Sequence, residues 1–92
     1  MSAPSADAIE TAILALLDQR RAGATICPSE VARALASGVD GAWRALMTDV
    51  RQVAQAMADD GRLVVTRRGL PVEATSPGGP IRLGRPPAAA DR

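Results

Sequence analysis

The longest regular pattern in the sequence runs from about Gly41 to about Asp60 and has the phase of a single amphipathic helix, roughly 30 Å long at about 1.5 Å per residue. Advancing about 100° per residue gathers Trp43, Met47, Val50, Val53, Ala54 and Met57 on one apolar side, with Leu46 at its margin. The same advance sets Arg44, Thr48, Arg51, Gln52 and Gln55 on the opposite side. A rod of this length in a chain of 92 residues must find its cover in whatever else folds. The other elements are therefore read by how they can pack on its tryptophan side, and its arginine side is read as open to water.

Two shorter helices precede it. Asp7 and Glu10 are spaced as a capping box, and Ile9, Ile13, Leu16 and Leu17 recur on one face of a first helix that Gly23 is expected to end. Ala24-Thr25-Ile26 suits an edge strand or an extended connector. Pro28 restarts a helix, Glu30 complements its positive end, and Val31 and Leu35 give it a narrow apolar edge. Residues 37–41 supply a stop, with Asp40 as the next cap. Beyond Gly61 the signals change period. Leu63 to Thr66 reads as a strand, Arg67-Arg68-Gly69 as a turn, Leu70-Pro71-Val72 as a brief return, residues 76–80 as a loop, and Ile81-Arg82-Leu83 as a short closing strand. Residues 1–6 and the Pro/Ala/Arg tail 84–92 offer no apolar spacing and are expected to be mobile, leaving one domain over 7–83. Helix two, a short turn and a longer helix three form a helix-turn-helix, and a terminal hairpin completes the order of a winged helix, mainly α with a small β-hairpin.

Composition narrows the chemistry sharply. The chain has no histidine, so no Ser-His-Asp or Cys-His relay can form. Its single cysteine allows neither an internal disulfide nor a thiolate zinc cluster. All eleven basic residues are arginine, which excludes a lysine-bearing phosphate loop and a Schiff-base nucleophile. One tryptophan as the only aromatic argues against platforms that stack single-stranded bases. No apolar run reaches the ~20 residues of a membrane span and the N-terminus lacks a signal-peptide pattern, so a cytoplasmic, membrane-free protein is expected. No enzyme activity, metal or cofactor is expected. The one exception considered is Cys27, whose position before a helix start can favour thiolate; with no His or Lys nearby to assist, the preferred reading is a small buried residue whose backbone caps the helix. Asp59-Asp60 is read as a solvated helix end.

Several segments in order resemble a known family. Cys27-Pro28-Ser29-Glu30-Val31-Ala32-Arg33, Trp43-Arg44-x-Leu46-Met47-x-x-Val50-Arg51, Gly61-Arg62-Leu63 and Gly79-Pro80-Ile81-Arg82-Leu83 are similar to a bacterial family of short proteins catalogued as domain of unknown function 3253. The resemblance spans most of residues 9–83 and implies a winged-helix fold. It implies no activity, cofactor or substrate.

Charge is unevenly spread. Residues 7–60 hold five arginines against eight acids, whereas residues 61–92 hold six against two. The expected function is duplex DNA binding, with Arg44, Thr48, Arg51 and Gln55 of helix three facing the major groove. Arg67 and Arg68 at the turn, with Arg82 and Arg85 nearby in sequence, would hold the phosphate backbone. Against this stand the overall charge of only +1 and the spacing of Asp40 to Arg44, which suits an ion pair within the helix. The competing expectation is a protein-interaction or homodimerisation module that uses the same exposed face and binds no nucleic acid.

Overall fold

A computed structural model describes residues 4–36 and 41–87. The described elements are α1 (Ala6–Asp18), β1 (Thr25–Ile26), α2 (Pro28–Leu35), a 3₁₀ turn (Ala42–Leu46), α3 (Met47–Asp59), β2 (Val64–Arg67), β3 (Leu70–Pro71) and β4 (Arg82–Gly84). Three helices thus pack on a four-stranded sheet in the order β1-β4-β2-β3, with every pairing antiparallel.

The sheet is larger than the two-stranded hairpin read from the sequence. Its closing strand is central, because β4 pairs with both β1 and β2. Register explains the arrangement: Leu83 sits opposite Ile26 on one side and Val65 on the other, so three buried side chains form a row across the sheet. That row faces Ile9, Ile13 and Leu17 of α1 and Val50, Ala54 and Met57 of α3, all buried in one cluster. Leu16 and Leu35, expected inside, lie at its rim. The described residues include no helix long and apolar enough to cross a membrane.

Three boundaries differ from expectation for local reasons. Ser5, rather than Asp7, caps α1, accepting the Ala8 N–H at 3.1 Å, which leaves Glu10 to bind elsewhere. The helix closes at Asp18, before Gly23, whose positive φ instead serves the turn into β1. The expected helix three is divided. Its first five residues form a 3₁₀ turn, which advances about 120° per residue and so takes Arg44 out of phase with the stripe on α3. The Ser37–Asp40 part of the expected stop and cap lies outside the described residues.

Arginine ties the elements together. Arg62 donates to both carboxylate oxygens of Glu10, at 2.9 and 3.2 Å, and to Asp60 at 3.1 Å, joining α1 to the end of α3. The Arg62 N–H also bonds the Met57 carbonyl and the Gly61 N–H that of Ala58, the paired closure of a Schellman end. Arg20 pairs with Glu30, and Arg85 with Asp18.

Candidate functional site

The N-terminus of α2 is built around Cys27 and Glu30. The Cys27 N–H donates to Glu30 Oε2 at 2.9 Å, and the Glu30 N–H to the Cys27 carbonyl at 3.0 Å. That backbone bond, helped by Arg20, holds the Glu30 carboxyl below the usual glutamate range. The Cys27 thiol shares a hydrogen bond with the Ser29 hydroxyl at 2.8 Å. Pro28 is buried at the first helical position and fixes the entry of the chain.

Beside this start stands Trp43, on the 3₁₀ turn. It was expected in the core and is instead half-buried at the edge, packed on the core along one side. The Arg33 guanidinium lies 4.4 Å from the ring centroid and that of Arg44 4.7 Å away. Arg44 therefore covers the tryptophan, where the helical phase had set it on the far side. Sequence spacing gives no sign of the Arg33 contact, because its partner ring lies ten residues along the chain on another element.

On α3, Thr48 and Gln52 are exposed and Arg51 is half-buried, consistent with an outward stripe. Gln55 is turned into the body. Its Oε1 accepts the Ala74 N–H at 2.6 Å and its Nε2 donates to Asp59 at 2.8 Å, so it fastens the loop after β3 to the helix. Ala74 is 1% exposed, and this side-chain oxygen is what satisfies its backbone donor. Asp59 and Asp60 are both taken up by hydrogen bonds, and no group of metal-ligating side chains occurs among the described residues.

The hairpin separates two arginines that looked equivalent. Arg68 and Gly69 form the two-residue turn between β2 and β3 with φ of 55° and 81°, the left-handed pair of a type I′ turn. Arg68 is exposed there, with no ion pair among the described residues. Arg67 points back. Its guanidinium donates to the Ser76 hydroxyl and carbonyl and to the carbonyls of Pro77 and Gly79, at 3.0–3.3 Å. Gly78 permits the approach, since a Cβ there would stand 3.3 Å from Arg67 Nη1 on a backbone with φ of +126°. Arg82 is likewise engaged, bonding the hydroxyl and carbonyl of Thr25 across β1.

Three adjoining depressions connect these parts. One of about 210 Å³ is bounded by Thr48, Arg51, Gln52 and Thr75. A second of about 280 Å³ shares Arg51 and runs past Met47 and Trp43 to the start of α2, with Pro80 and Ile81 as its other wall. A third of about 400 Å³ shares Pro80 and is lined by Arg67, Arg68, Gly78 and Arg82. Adjoining through Arg51 and Pro80, the three depressions between them gather Thr48, Arg51, Arg67, Arg68 and Arg82. Arg44 joins them only through the ring it covers, and Gln55 stands behind them.

Residues 6–86 match the family described as "Protein of unknown function (DUF3253)", and the chain belongs to that family. No curated protein matches the chain.

Proposed function

We propose, since family membership assigns no activity, that the chain is a small non-enzymatic winged-helix module that binds duplex DNA. In this reading α2, the 3₁₀ turn and α3 are the helix-turn-helix, and β2 to β4 form the wing. The observation that carries it is the run of three adjoining depressions from Thr48 and Arg51 to Arg68, in which Arg51 and Arg68 make no ion pair among the described residues. Arg51 and Thr48 face the groove, and Arg68 meets a phosphate. Arg67 and Arg82 shape the wing from behind, while Gln55 sets the loop that flanks Arg51. Arg44, stacked on Trp43, adds charge beside the groove. The strain at Arg68 supports the same reading. A side chain with a Cβ in the left-handed region costs about 1–2 kcal/mol, and Asn or Gly is the usual occupant, so a cation held at the tip has a cost that a purely structural turn would avoid.

Fluorescence anisotropy with a random duplex tests it. Binding at low salt should weaken as salt rises, and Arg51→Ala should both weaken it and relax any sequence preference. Absence of binding at low salt rejects the reading.

One observation favours a docking role instead. Leu70, 67% exposed on the outermost strand, is the one large hydrophobic side chain so exposed among the described residues. If that edge pairs with a second copy, sedimentation will show a dimer that Leu70→Ser disperses.

A further inference from the structure

The depression between the start of α2, the 3₁₀ turn, α3 and the segment before β4 differs from its two neighbours in chemistry. Pro28, Trp43, Met47, Pro80 and Ile81 give it apolar walls, and Ser29, Cys27 and Arg51 place polar groups among them. No acid lines it. Arg51 lines it and is held in no ion pair among the described residues, so its guanidinium is free to meet an anion there. The only carboxylate at this helix start, Glu30, is committed to the Cys27 N–H and to Arg20. Arg33 and Arg44 over the tryptophan ring add two further positive charges at the rim with no counter-charge among the described residues. Apolar walls, a guanidinium outside any ion pair among the described residues and a positive rim together select an anion carried on an apolar body.

We propose that this cavity binds a small amphipathic carboxylic acid, its carboxylate on Arg51 and its apolar body against Trp43 and Met47. The size agrees: at about 30 Å³ for a water-sized atom group in a liquid, a volume of about 280 Å³ holds on the order of ten non-hydrogen atoms. A ligand of that size in an open depression binds with a Kd on the order of 1 mM. The site does not rest on duplex binding, and it stands if no DNA is bound.

Trp43 is the chain's only aromatic side chain, so intrinsic fluorescence reports on this cavity alone. Titration of the full chain with hexanoate, without DNA, should give a saturable change. Acetate, which lacks the body, and hexanol, which lacks the charge, should each bind at least tenfold more weakly. Arg51→Gln should weaken hexanoate at least tenfold, and Arg51→Lys should recover part of the loss. The ligand series on the unaltered protein keeps the test decisive even if a variant folds poorly. No saturable response to hexanoate, or equal responses to hexanoate and hexanol, overturns the proposal.

Discussion

The arginines of the hairpin half and of the helical half are put to opposite uses. Residues 61–92 carry the excess of positive charge, yet Arg62, Arg67, Arg82 and Arg85 are all bound to groups of the protein itself, and Arg68 is the one described arginine there that is not. Residues 7–60 are acidic in sum, yet among the described residues Arg20 is the one arginine there held in an ion pair, while Arg33 and Arg44 rest on a ring and Arg51 lines two depressions. The charge inventory of a segment is therefore a poor guide to the charge it offers a partner. Geometry decides, because a guanidinium that donates to several carbonyls is already part of the scaffold.

The sharpest way to break this comparison is to remove a committed arginine. Arg67→Ala leaves the loop carbonyls of Ser76, Pro77 and Gly79 without their donor and should cost about 2 kcal/mol in urea unfolding. Arg67→Lys should restore little of it, since an ammonium cannot span the same fork of acceptors. If Arg67→Ala unfolds like the parent, Arg67 is not structural and the contrast with Arg68 fails. Gln55→Ala should cost somewhat less, about 1–1.5 kcal/mol, by leaving the buried Ala74 N–H unpaired. A neutral result there would return Gln55 to the exposed stripe.

How much of this was legible in the sequence follows from the range of each interaction. The α1 spacing of Ile9, Ile13 and Leu17 and the α3 spacing of Val50, Ala54 and Met57 are local and periodic, and those residues are buried. The turn at Arg68-Gly69 is local as well, and it is present at the exposed hairpin tip. The central position of β4 was not legible, because Leu83 pairs with Ile26 across 57 positions and a two-residue strand carries almost no signal of its own. The hydrogen bonds of Gln55 and Arg67 were not legible for the same reason: their partners, Ala74 and the loop around Ser76, lie in a stretch without periodicity. Trp43 shared the phase of the core residues, but the 3₁₀ turn beneath it shifted that phase.

Two smaller effects sharpen the comparison further. Arg68→Asn should stabilise the fold by about 0.5–1 kcal/mol in the same unfolding experiment while weakening duplex binding, since Asn tolerates the left-handed turn and carries no charge. Stabilisation without loss of binding would mean that the tip cation has no partner. The acid limb of stability gives the smallest effect. The hydrogen bond from Arg62 lowers the Glu10 pKa, and the Cys27 N–H with Arg20 lowers that of Glu30. Their contribution is therefore complete above the unfolded glutamate value of about 4.3 and is lost as pH falls through the lower folded values. Glu10→Gln should flatten that limb slightly, and an unchanged acid limb would show that the Arg62 contact adds nothing in solution.

The most direct test sets one arginine of each kind against the other in the salt dependence of duplex affinity. Arg68→Ala should reduce the slope of log K against log salt by about 0.9, the release of one phosphate contact, while Arg62→Ala leaves it unchanged. Equal slopes for both variants, or a loss confined to Arg62→Ala, would contradict the account.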